Sequence, residues 1–164
     1  DRIRSRGLGD VYKRQVLELA GGLTGSGKLH AVLMGGAAGS FVDRSYLDMP
    51  ITLEDARERG TTLGSGVVMA FTDEIDIVDV LVRISQFFRD ESCGQCVPCR
   101  VGCVRQNETM VVLQQKGSLT PERRQLVDDI AQVMVDASIC GFGHTATNAI
   151  NSAIKLGLVP GVPS

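Results

Sequence analysis

No tryptophan occurs in this 164-residue chain and aromatic residues make up only 4 %, so a core must draw on the aliphatic part of a 43 % hydrophobic composition. Long apolar runs are also missing. None approaches the roughly 20 residues that a membrane-spanning helix needs, which leaves any membrane link to a partner and argues against direct insertion. Nor is there a basic surplus in the body of the chain. The formal net charge of −2 conceals a local +3 over residues 1–15 and −5 over the remainder, and a net-acidic body offers no electrostatic footprint for nucleic acid. Without a secretory apolar stretch, the five cysteines do not suggest a disulfide framework. In a reducing compartment, clustered thiols are more often metal ligands or redox catalysts, and the expected location is cytoplasmic. Internal repeats and low-complexity segments are absent.

The length suits one ordinary domain or two small ones. Residues 1–15, DRIRSRGLGDVYKRQ, show neither a helical nor a strand period, and GDVYKRQ resembles the peptide translated from sequencing-adaptor DNA. They are read as a non-native tail, with the chain proper starting near Val16. From there to about Ala70 the sequence is glycine-rich and short-phrased. VLELAGG reads as the end of a helix stopped by Gly21 and Gly22. Lys28–Met34 is a short buried strand, Thr52 caps a brief helix LEDARER with Asp55 near the capping-box position, and residues 66–71 form a second strand. Two strands and two short helices do not complete a folding unit, so an exposed apolar face is expected where further strands belong.

From Thr72 onward four helices are expected. The first covers about Glu74 to Arg89, capped by Thr72 or Asp73, with Ile77, Val80, Leu81, Ile84, Phe87 and Phe88 on one stripe. The second runs from near Pro98 to Lys116 and stops at Gly117. The third opens with Thr120 and Pro121 and buries Leu126, Ile130, Val133, Met134 and Ala137. The fourth spans about Thr145 to Leu156, with Ile150, Ala153 and Ile154 inward. Short links between them favour an up-and-down bundle.

Four of the five cysteines fall in ESCGQCVPCRVGC, residues 91–103. Cys93, Cys96 and Cys99 form C-x2-C-x2-C. A regular helix turns every 3.6 residues, so a three-residue step would drift off one face, but Gly94 loosens the backbone and Pro98 forbids a helix running through. The three thiolates can therefore curl around one object with several corners. A [4Fe–4S] cluster is such an object and needs four thiolates. Cys103, one turn into the second helix, would aim its sulfur up the helix and away from the loop. Cys140, in the turn SICGFGH, is returned to the same end by a helix out and a helix back. Cys140 is thus the expected fourth ligand and Cys103 a packed or semi-exposed spare. The competing reading is a zinc staple, a structural or interaction module without a redox role, using the same four cysteines or three plus His144. A thioredoxin-like dithiol lacks its βαβ context. Arg100 either lowers the energy of a reduced cluster's extra negative charge or is a solvated cation. His144 either hydrogen-bonds near the cluster or caps the fourth helix.

These residues resemble a known family. ESCGQCVPCRVG together with ICGFGHTA, with 40 residues between Cys99 and Cys140, is similar to the C-terminal iron–sulfur domain of the flavin-carrying (51 kDa-type) subunit of respiratory complex I, a type shared with NAD-dependent formate dehydrogenases and NAD-linked hydrogenases. The wording of residues 83–102 reads closer to the formate dehydrogenase branch. The segment from VLELAGG to LGSGVVMAF resembles the soluble-ligand-binding β-grasp (SLBB) domain of the same protein type. The resemblance implies an α+β chain: a non-native tail at 1–15, a partial β-grasp module at 16–72, and a four-helix bundle at 73–164 that binds an iron–sulfur cluster. It further implies Cys93, Cys96, Cys99 and Cys140 as ligands. In the complete subunit it implies NADH and FMN bound in a preceding domain, electrons passing from reduced FMN to the cluster, iron–sulfur partner subunits, and a place at the cytoplasmic side of a membrane complex. No NADH or FMN site is expected in this stretch.

Gly22-x4-Gly27-Lys28 nearly spells a phosphate-binding loop, but Leu29 stands where Ser or Thr should ligate Mg²⁺ and no clear strand precedes it. It reads as a β-grasp loop, and GGAAGS at 35–40 is not a dinucleotide fingerprint. His30 reads as a packed or edge histidine.

Overall fold

A computed structural model describes residues 17–43, 46, 52–58 and 60–162. The tail at 1–15 lies outside the described residues. The chain divides into two compact units, residues 1–75 and 76–164. It is α+β, with a three-stranded antiparallel sheet and several helices.

In the first unit, β1 (Leu29–Met34) is the central strand, flanked by β2 (Ser40–Val42) and β3 (Val68–Thr72). The sheet forms from short apolar runs that carry the β-branched Val32, Val42 and Val68 and the aromatic Phe41 and Phe71, and Gly35 ends β1. Register is set by Val32 opposite Val42 on one side and Ala70 on the other. Val32, Met34 and Val42 form the core, with Leu29, Tyr46, Leu63 and Val68 packed against it, and the rings of Phe41 and Phe71 lie 5.8 Å apart. β2 was not anticipated: three residues are too few to show alternation. Gly35, at φ 90°, starts the tight turn between β1 and β2, where a side chain would strain the backbone and crowd Gly39 and Gly64 at 3.2 Å. Between β2 and β3 lies α1 (Leu53–Glu58), where Thr52 Oγ1 accepts from the Asp55 N–H as expected of a cap. The glycine loop before β1 leads into a strand and not a helix. Its Ser26 donates to Glu74 and the Lys28 N–H donates to Asp73, so it is a structural loop and not a phosphate cradle. His30 is exposed, outside the stretch Val32–Met34 of β1 that pairs with β2 and at the register shift between Leu29 and Ala31, and so is not packed.

The second unit is helical: α2 (Ile77–Glu91), α3 (Val97–Lys116), α4 (Pro121–Ala137), a single turn α5 (Gly141–Thr145) and α6 (Asn148–Lys155). Consecutive helices α2 to α5 pack pairwise, α5 also meets α3, and α6 returns to α2. Leu81, Phe88, Met110, Leu113, Met134, Ile150 and Ile154 are fully buried. Each such side chain contributes on the order of 1.5–3 kcal/mol.

Three expectations shift in register. The cap of α2 is Asp76, whose carboxylate accepts from the Val78 N–H at 2.8 Å, because Thr72 is engaged in the sheet opposite Leu29. On α2, Phe87 is exposed while Val78 and Ser85 face inward. On α4 the buried residues are Val127, Ala131 and Met134; of the expected stripe Met134 is buried and Ala137 is exposed. Leu126 and Val133 are exposed, and Val133 with Ile130 lines an apolar groove against Val97, Pro98 and Val101 of α3. The fourth expected helix, about Thr145 to Leu156, is found as α6 starting at Asn148, and the single turn α5 before it was not anticipated.

Candidate functional site

At the start of α3 the sequence VPC follows the motif's second cysteine. Pro98 cannot accept the helix from upstream but suits a first turn, so α2 stops at Glu91 and α3 begins afresh at Val97. The linking residues Ser92 to Cys96 form the cysteine loop. Gly94 turns it through φ 73°, and the Arg100 guanidinium donates to the Gly94 carbonyl at 2.7 Å from one turn into the helix. Arg100 is therefore a brace for the loop. Ser92 Oγ accepts from the Gly94 N–H at 3.3 Å and stands 3.4 Å from Cys99 Sγ.

The opposite wall comes from the turn after α4. Ser138 ends α4, its N–H bonding back to the Met134 carbonyl, and Cys140 is the N-cap of α5. His144 Nε2 donates to the Ser138 carbonyl at 2.8 Å, tying the short turn to the end of α4. The bond falls in the turn that carries Cys140 and does not cap the fourth helix. Gly143 lets α5 close onto α3: a Cβ there would lie 3.2 Å from Cys99 Cβ and 2.5 Å from Ser138 Cβ. Phe142 stacks edge-on against Phe88 of α2 at 4.9 Å.

Cys93, Cys96, Cys99 and Cys140 all line one pocket of about 340 Å³, together with Glu91, Ser92, Gln95, Ile139 and Phe142. Cys93 and Cys140 are exposed, Cys96 is half-buried and Cys99 buried. Among the described residues, no three His, Cys, Asp or Glu side chains gather as they would around one metal ion. A polynuclear cluster would take one thiolate at each of four irons around such a cavity, whereas tetrahedral zinc would need all four at one centre. His144, engaged with Ser138, does not line the pocket.

The electrostatics suit anionic ligands. The N-terminus of the 20-residue α3 opens at the cysteine loop, directing its unpaired N–H groups and positive dipole end there. A backbone hydrogen bond from Ile139, and then one from Cys99, hold the Cys96 thiol below the usual thiol range, with burial opposing them. Cys103 behaves oppositely. Burial first, then the neighbouring Cys99, push its thiol up to about 12. Its sulfur lies 3.9 Å from Cys99 Sγ, which corrects the expectation that it points away from the loop. Side chains on a helix lean toward its N-terminus, so a residue at i+4 comes down onto residue i.

Fold and site together define a metal-binding protein of the cysteine-cluster class, with three ligand candidates on a loop and one on a distant turn. Residues 79–156 match the NADH-ubiquinone oxidoreductase-F iron-sulfur binding region. The chain is 34 % identical over 148 residues to the F-type subunit of NADH-quinone oxidoreductase from Aquifex aeolicus, covering 90 % of this chain and 33 % of the relative. To the same F-type protein from Buchnera aphidicola it is 33 % identical over 147 residues, covering 88 % and 33 %. The crystal structure of an NAD⁺-reducing [NiFe]-hydrogenase in its H₂-reduced state superposes with a TM-score of 0.77 at 29 % identity, over 90 % of this chain and 24 % of the hydrogenase chain. The chain thus spans about a third of the length of the curated relatives it matches.

Proposed function

We propose that Cys93, Cys96, Cys99 and Cys140 hold a [4Fe–4S] cluster that serves one-electron transfer in an NADH-linked oxidoreductase subunit. The observation that carries this reading is the arrival of Cys140, 41 positions after Cys99, at the pocket lined by the triplet. When bound, the cluster supplies reversible uptake and release of single electrons. The chain's own residues do the rest. The α3 N-terminus and the N–H groups around Cys96 stabilise thiolates, Ile139 and Phe142 form the apolar side of the pocket, and Arg100 and His144 fix the two segments that carry the ligands.

In the whole subunit, NADH and FMN chemistry belongs outside this chain, with electrons entering from reduced FMN and leaving to iron–sulfur partner subunits. The names of the relatives favour an NADH-quinone oxidoreductase or an NAD⁺-reducing hydrogenase as the parent type. A formate dehydrogenase parent rests on the wording of residues 83–102 alone. The three-stranded sheet is assigned to a partial β-grasp module over 16–72 and the helices to a four-helix cluster-binding bundle over 73–164. Residues 1–15 are assigned to a non-native tail. No helix among the described residues is long and apolar enough to cross a membrane. A cytoplasmic position beside a membrane complex is part of the same proposal.

Anaerobic reconstitution with iron and sulfide tests it. A brown protein with broad visible absorption and about four irons per chain is the expected product. A colourless adduct that takes only zinc would replace this reading with the staple. Cys140→Ser should lose most of the bound iron while Cys103→Ser keeps it, and the reverse pattern would overturn the ligand assignment.

A further inference from the structure

Resting on the cluster reading above, we propose that Cys103 is a positioning residue that donates its S–H to the Cys99 thiolate and thereby raises the reduction potential of the cluster. The two sulfurs are 3.9 Å apart, within hydrogen-bond reach for sulfur. Cys99 must give up its proton to bind iron, so of the pair only Cys103 can then be the donor. Cys103 is 1 % exposed and is not among the residues that line the pocket, so it is not placed to be a ligand itself. The α3 backbone fixes the contact, since positions i and i+4 share a face and the side chain at i+4 leans toward the helix start.

The direction of the effect follows from charge. Reduction adds a negative charge that spreads onto the ligand sulfurs, and a hydrogen bond to a sulfur is stronger when that sulfur is more negative. The reduced form gains more than the oxidised form, and the potential rises. Ser92 Oγ, 3.4 Å from the same Cys99 sulfur, stays in place when Cys103 is changed, so a Cys103 variant isolates one of two donors.

The test compares the whole chain with Cys103→Val and Cys103→Ser, each reconstituted anaerobically with iron and sulfide. Iron per chain is measured, and reduction is followed by electron paramagnetic resonance at poised potentials. Cys103→Val should hold full iron with its reduced-to-oxidised ratio lowered about tenfold at a given potential, equivalent to about 59 mV for one electron. Cys103→Ser restores an O–H donor and should recover most of that shift, which simple packing would not do. A Val variant with full iron and an unmoved potential overturns the inference while leaving the cluster reading intact. Loss of iron from both variants also overturns it, by making Cys103 a ligand or a support of the loop. A parent chain that takes up zinc but no iron–sulfur cluster refutes the cluster reading itself, and this inference with it.

Discussion

Three of the four pocket cysteines are neighbours in sequence, so their proximity costs little chain entropy; Cys140 is brought in only by packing, and small residues decide how closely. Gly143 is the tightest point. Its missing side chain is the space in which α5 meets Cys99 and the end of α4, and neither Ser138 Cβ nor Cys99 Cβ is a flexible chain end that could swing aside. Gly143→Ala should therefore destabilise the folded chain by about 1–3 kcal/mol through overpacking. It should also push Cys140 outward, so that iron uptake falls more than global stability does. Denaturant unfolding beside an iron assay checks both, and an unchanged iron content would refute the close-approach argument. The cysteines and their spacing were legible in the sequence because ligand chemistry demands them. The roles of Gly143, His144 and Arg100 were not, since each depends on a neighbour that only the folded turn supplies.

Among the elements, capping was easier to read than facing. Thr52, Thr120 with Pro121, and Gly117 occupy their expected places, Gly117 at φ 70° with its N–H bonded to Leu113. The inward stripe of α4 was misread because that helix carries two apolar stripes, and periodicity cannot say which is covered. Its first turn supports a pH prediction. Glu122 sits beside the Thr120 cap, and its own backbone N–H, followed by the Thr120 side chain, holds its carboxyl below the usual range. A carboxylate depressed on folding adds stability that is fully present above its unfolded pKa and is lost as pH falls through the lower folded value. Glu122→Gln should thus be less stable than the parent at neutral pH, by a small amount because the group is fully exposed, with the gap closing in acid. Paired melting curves from neutral pH downward test this. A gap that persists or widens in acid would assign the effect to something other than charge at the helix start.

For the molecule as a whole, the α+β character and the division between a strand-containing and a helical stretch were readable, because hydrophobic period switches where the two meet. The third strand and the turn α5 were not: Ser40–Val42 is too short to show a period, and so is the five-residue α5. This division makes a prediction about how metal binding is distributed. All four proposed ligands lie in the unit 76–164. A metal that binds only the folded arrangement stabilises whatever must be ordered to present its ligands, here the loop between α2 and α3 and the turn between α4 and α5. Loading the cluster should therefore slow amide hydrogen exchange most at residues 92–99 and 138–144, and next along α3 and α4, which hold those segments. The strands Leu29–Met34 and Val68–Thr72 should exchange at the same rate with and without it. Removing iron with a chelator should reverse the protection in the helical unit alone, because a local opening that exposes the ligands need not involve the sheet. Equal protection of the strands would mean that the two units unfold as one cooperative body, and the ligand-bearing loop and turn would then have no separate opening of their own.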